Sequence, residues 1–183
     1  PEGHKTTGLK GLAGLKPAEL IAELSSGNEW RRETAQRLLI ENGDKSLAPA
    51  LTAFGAQTSS VMGRVHAMWT QHGLGVVDWT LVSAGLADVD PRVRAAALRI
   101  SESLVAGPHR TDVITRWTEL AAKETVPEVQ VQLALTMGEA KDLTVDLAAA
   151  ALAQRAAEHI AIQDAFISGL AGRELEVFAA VLK

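Results

Sequence analysis

The sequence predicts an all-α fold: helix pairs stacked in one right-handed superhelix, an α-solenoid. Three observations carry that expectation. One helical phrase recurs, with Arg32 and Ala35 in NEWRRETAQRLL, Arg64 and Ala67 in RVHAMW, Arg94 and Ala97 in DVDPRVRAAALRISESLV, Gln130 and Leu133 in VPEVQVQLALTMG, and Ile162 and Ala165 in EHIAIQDAFISGL. Successive copies are offset by 32, 30, 36 and 32 residues, and a period of roughly 30–45 residues with two helices per unit marks a helical solenoid. Apolar residues make up 47% of the 183-residue chain but aromatics only 4%, and small side chains let helix axes approach closely. Nothing alternates with period two over a useful length, so no sheet is expected.

Residues 1–15 (PEGHKTTGLKGLAGL) read as a linker with turn chemistry, and residues 16–183 as about five and a half helical repeats. A first helix follows Pro17, and Gly27-Asn28 ends it and caps the helix at 29–42, which Asn42-Gly43 stops. An outer helix at 46–55 tolerates Pro49 in its first turn. Ser59 or Ser60 caps the helix bearing Arg64, Gly73 and Gly75 end it, and the next outer helix spans 76–87. Asp90-Pro91 starts the third inner helix: the carboxylate accepts orphan amide protons and the proline presets the first turn. There Val93, Ala97, Ile100 and Leu104 draw one apolar stripe, while Glu102 faces water. Beyond Gly107-Pro108 lie helices at about 111–123, after a Thr125-x-x-Glu128 capping box, at 143–157 capped by Asp142, at about 159–171, and a half-finished unit from Arg173. The start at Pro1 and the lack of a polar closing helix read as a piece of a longer protein.

The chain has no cysteine, which excludes disulfides, thiolate metal sites, cysteine nucleophiles and haem attachment through CxxCH. A net charge of −4 speaks against a nucleic-acid surface, which needs clustered Lys and Arg. No apolar run approaches a membrane span, so no membrane insertion is expected of this segment. No GxSxG, P-loop, GxGxxG or HExxH occurs. His66 and His72 are about 240° apart on a helix and cannot share a metal as an i, i+4 pair would. Catalytic, cofactor and metal residues are therefore expected to be none. The repeat-structural set is Arg32, Ala35, Arg64, His66, Ala67, Trp69, Asp90, Pro91, Arg94 and Ala97. Trp30, Arg99 and Glu102 are candidate interaction residues. The recurring arginines have two readings, an anion-binding row or a ladder of charge-assisted bonds to carboxylates and helix-end carbonyls of neighbouring units, with Asp44, Asp78, Asp88 and Asp90 as candidate partners. Trp30, Trp69, Trp79 and Trp117 read as packing residues.

The Asp-x-x-Val-Arg-x-x-Ala phrase resembles HEAT repeats. NEWRRETAQRLLIENGD, RVHAMWTQHGLG and DVDPRVRAAALRISESL are similar to the HEAT-like region of large multidomain proteins of planctomycetes and verrucomicrobia known as membrane-bound dehydrogenases or haem-binding proteins. The resemblance covers roughly residues 1–110, and by rhythm alone the remainder; Met68 and Gln71 stand where that family has Leu. It implies a solenoid between a sugar-dehydrogenase-like β-propeller, whose exit segment PEGHK resembles, and a cytochrome c domain. It further implies haem only in that separate domain, partners among the flanking domains or other proteins, and an extracytoplasmic (periplasmic or secreted) location. The expected function is a non-catalytic scaffold that spaces or docks domains. The alternatives are a HEAT-fold enzyme, of DNA-base-excision or bilin-lyase type, and a small-anion binder using the arginines.

Overall fold

Capped turns cut the chain into eleven α-helices in the computed structural model, which describes residues 11–182. They are α1 (Pro17–Glu23), α2 (Glu29–Asn42), α3 (Ala48–Gln57), α4 (Val61–Leu74), α5 (Trp79–Leu86), α6 (Pro91–Ser101), α7 (Arg110–Lys123), α8 (Pro127–Gly138), α9 (Leu143–Arg155), α10 (Ile160–Leu170) and α11 (Glu174–Val181). Among the described residues there is no strand. The segment PEGHK, with His4, lies outside the described residues. Within the stretch read as linker, Leu12–Gly14 forms a 3-10 turn that buries Leu12 beside α2.

The caps explain the boundaries. Asn28 accepts from the Arg31 amide, Ser60 from Gly63, Asp90 from Arg92 and Asp142 from Thr144, each satisfying a first-turn donor the helix leaves free. Gly43 and Gly75 close α2 and α4 at φ 69° and 67°, backbone that costs glycine little.

Several expected boundaries move. The outer helix begins at Trp79 rather than 76, because Asp78 caps the Thr80 amide while its carboxylate is fixed by Thr52. Gly73 lies inside α4 instead of ending it. The capping box at Thr125 does not form; the Glu124 carboxylate takes the Thr125 and Val126 amides instead, each at 3.0 Å, and Pro127 starts α8. The α6 stripe holds at Val93, Ala97 and Ile100 but not at Leu104, since the helix ends at Ser101 and tightens into a 3-10 turn over Glu102–Leu104. That turn swings Glu102 away from the solvent side, so its side chain is only 14% exposed and accepts from the Thr136 hydroxyl of α8 at 2.7 Å.

The helices form two layers. In one, α2, α4, α6, α8 and α10 pack in succession; in the other, α1 packs on α3, α3 on α5, α7 on α9 and α9 on α11. Each even-numbered helix also packs on the odd-numbered one before it. The second layer parts between α5 and α7, where an open cleft is lined by Leu86, Arg94, Arg116, Lys123 and Glu124. One core runs from Ala67 to Val177 and a smaller one joins Leu12 and α1–α3 to Leu39 and Leu74, with Phe54 packed against both. The tightest crossing is α8 on α10: a Cβ on Gly138 would lie 2.5 Å from the Gly169 Cα, so backbone meets backbone there.

Candidate functional site

The recurring arginines sit one turn inside the even-numbered helices, and each reaches back to the loop it came from. Arg32 Nη1 donates to the carbonyl of Ser26 at 2.8 Å, Arg64 Nη1 to Thr58 and Ser59, and Arg94 Nη1 to Asp88 and Val89. Gln130 does the same with its side-chain amide to Glu124 O, and Gln163 to Ala157 O. In every unit the acceptor lies six residues before the donor. The fifth copy is therefore centred on Gln163 and Phe166, one residue beyond the expected Ile162 and Ala165. Ile162 takes instead the buried place that Val93 and Val129 hold.

The other edge of the guanidinium reaches the next unit. Arg64 clasps Asp88 through Nε at 2.7 Å and Nη2 at 3.1 Å, and Arg94 clasps Glu124 at 2.8 and 3.1 Å. Asp88 and Glu124 are the same residues whose carbonyls accept from Arg94 and Gln130. The bonds thus run without a gap through Arg64, Asp88, Arg94, Glu124 and Gln130, linking α4, α6 and α8 by way of their loops. The side chains are largely covered, 20% and 12% exposed for Arg64 and Asp88, 14% and 5% for Arg94 and Glu124. Planar two-point pairing of this kind is the strong form of charge-assisted bond. With four bonds each, Arg64 and Arg94 keep one N–H apiece for any other ligand.

Of the four expected aspartate partners only Asp88 serves. Asp44 caps Ser46, Asp78 holds Thr52, and Asp90 pairs with Arg92. Glu124 was not foreseen, although it stands six residues before Gln130 as Asp88 does before Arg94. At the first unit the corresponding loop residue is Thr58, which offers no carboxylate, and Arg32 Nε is a buried donor without a partner.

The remaining expected residues divide by burial. Ala35, Ala67 and Ala97 are fully buried at the helix crossings. His66 is buried, and its Nδ1–H donates to Gln36 Oε1 of α2 at 2.5 Å; burial, with Arg32 nearby, pushes its pKa down, so the ring is neutral near pH 7. Trp117 is completely covered and donates to Ser101 Oγ at 2.8 Å. Trp79 stacks on the His109 ring, and Trp69 meets His72 edge-on. Trp30 departs from the packing expectation, with 52% of its surface exposed. Arg99 pairs with Glu102. Burial raises the Glu102 carboxyl above its ordinary value, an effect that Thr136 and Arg99 oppose. Sequence missed a second hub: Arg173 bonds Asp146 of α9 and the carbonyls of Gly138 and Gly169, holding the α8–α10 crossing. Between α2 and α4 an open groove joins Ile40, Met62, Val65 and Trp69 to the charged rim of Glu33 and Arg37.

No family model, curated protein or solved structure matches the chain. Among the described residues no helix is long and apolar enough to cross a membrane.

Proposed function

We propose that this chain is a HEAT-like, right-handed α-solenoid that performs no chemistry of its own and acts as a stiff scaffold. The observation that carries this reading is the use of its recurring residues. The arginines most suited to ligand binding spend their donors on loop carbonyls and on the next unit's carboxylate. Such bonds resist sliding and rotation between units, while the apolar stripes supply the bulk of the burial. The same geometry weighs against an anion-binding row, because an anion at Arg64 or Arg94 would have to displace a bidentate carboxylate.

Within this proposal the chain belongs to the HEAT-like region of the planctomycete and verrucomicrobial multidomain proteins named above. It stands between a β-propeller and a cytochrome c domain in an extracytoplasmic protein, and haem is held only in the separate domain. The even-numbered helices form the inner face, and the groove beside Trp69 is the docking surface for a flanking domain or another protein.

Residues 1–183, expressed alone, are expected to take up no haem, flavin, pyrroloquinoline quinone or divalent metal, and to bind an isolated propeller or cytochrome domain. Stoichiometric cofactor uptake would overturn the scaffold reading.

A further inference from the structure

The junction between the first two units has the arginine of the next two junctions but not the acid. In Arg64 and Arg94 the Nε–Nη2 edge of the guanidinium takes both oxygens of a carboxylate from the following loop. Arg32 holds the same place in its unit and ties back in the same way, through Nη1 to Ser26 O at 2.8 Å. That is its only side-chain bond among the described residues, and its Nε is buried without an acceptor. A donor so placed has given up water and gained no bond in return.

The loop side of the junction is half complete. Asp88 accepts the Asp90 amide as well as Arg64, and Glu124 accepts the Thr125 and Val126 amides as well as Arg94. Thr58 stands in their position at the first junction. Its hydroxyl takes the Ser60 amide at 3.2 Å, as Asp88 takes Asp90, but it makes no bond to Arg32. The acid of the preceding helix, Glu23, is already clasped by Arg31. One arrangement is thus filled twice by the chain's own side chains and once left open, and the filled copies show what fits: a planar carboxylate on two parallel N–H donors.

We infer that the Nε–Nη2 edge of Arg32, at the loop before α4, is a binding site for a carboxylate supplied from outside the chain. The ligand enters as the half-buried Thr58 side chain turns about its single side-chain bond to a carbon, and it seats one oxygen on Nε and the other on Nη2. The site is a single arginine rather than a row, since Arg64 and Arg94 stay closed by Asp88 and Glu124. It goes beyond the scaffold reading and leaves that reading as it stands.

The probe is sodium acetate, titrated at pH 7 into the isotope-labelled whole chain, with sodium chloride making up a constant ionic strength. The readout is the Arg32 Nε–H resonance, identified by its absence in Arg32→Lys. A saturable downfield movement is expected, with half-saturation in the millimolar range. Thr58→Ala, which clears the entry, should tighten acetate binding about threefold or more. Thr58→Asp supplies the acid internally, so it should hold the resonance downfield from the start and abolish the response to acetate. In Arg32→Lys, which keeps the charge but loses the fork, the Ser26 and Thr58 amide signals should no longer respond. Urea midpoints measured alongside establish that the variants are folded. A capped Gly-Glu-Gly peptide, titrated in parallel, distinguishes the source: tighter binding than acetate assigns the acidic side chain of another polypeptide, equal or weaker binding a free acid, and either upholds the site. No movement, movement that chloride alone reproduces, or an acetate response that survives Thr58→Asp overturns the inference. None of these failures touches the scaffold reading, which is judged by cofactor uptake and binding of a flanking domain.

Discussion

Arg32 and Arg94 occupy the same place in their units, begin with the same bond to the loop behind them, and end differently. Arg94 finds Glu124 and makes four bonds. Arg32 faces a loop whose matching residue is Thr58, and its Nε is left buried and unpaired. The recurring arginine alone therefore does not build the ladder. The residue six positions before the next unit's donor decides whether two units are tied by a charged pair; the first junction has the neutral His66–Gln36 bond and packing instead. An unpaired buried donor costs about 1–3 kcal/mol, so the first junction is the weaker one although its helices look the same in sequence.

The largest effect is expected at Glu124. Glu124→Ala strips Arg94 of its partner and frees the Thr125 and Val126 amides at the start of α8, beside the cleft where α5 and α7 part. A loss of about 3–5 kcal/mol in urea unfolding is expected; a loss below about 1 kcal/mol would mean that the Arg94–Glu124 pair does not strengthen its junction. Arginine removal should follow the same gradient. Arg64→Ala is expected to cost about 2–3 kcal/mol, somewhat less than a fully buried pair because its guanidinium keeps some solvent contact. Arg32→Ala should cost about 1 kcal/mol or less, since it loses one carbonyl bond and relieves an orphaned donor. Equal losses at the two positions would show that the carboxylate does not matter.

Acid titration separates two buried glutamates. Burial works to raise the Glu124 carboxyl, but the bonds from Arg94, Val126 and Thr125 outweigh it and hold the carboxyl below its ordinary 4.5. Its stabilisation is therefore present above about pH 4.5 and lost as pH falls through the lowered value. Glu102 is raised, so the folded state favours its proton, and its contribution weakens as pH rises through the raised value. The stability gap between wild type and Glu124→Gln should thus shrink on acidification below 4.5. The gap for Glu102→Gln should open in the variant's favour as pH rises from 4.5 toward 7. Urea midpoints at three pH values check both.

The smallest effect is a gain. Thr58→Asp gives the first junction the carboxylate that Asp88 gives the second, and should stabilise by about 0.5–1 kcal/mol. The gain should vanish in an Arg32→Ala background.

Most helix boundaries were legible because they are local chemistry. Asn28 and Gly43 bracket α2, and Asp90-Pro91 opens α6, through bonds made within a few residues. The ladder was half legible: the arginines recur within helices and are seen when helices are aligned. Their partners sit in loops of unequal length, so Glu124 was missed and three unrelated aspartates were named. The fifth unit slipped by one residue because an apolar rhythm alone cannot distinguish Ile162 from its neighbour, whereas the Gln163–Ala157 bond fixes the register. Glu102 was misread because the reading extended an ideal helix past Ser101, where the backbone tightens. The Gly138–Gly169 crossing and the Arg173 hub depend on distant segments meeting, which no local pattern encodes.

Arg94 and Glu124 act on each other across two units rather than each serving its own helix. A double-mutant cycle of Arg94→Ala and Glu124→Ala, read by urea unfolding at pH 7, measures this directly. A coupling energy of about 1.5–3 kcal/mol is expected. Strictly additive losses, with coupling below about 0.5 kcal/mol, would mean that the ladder ties no units together.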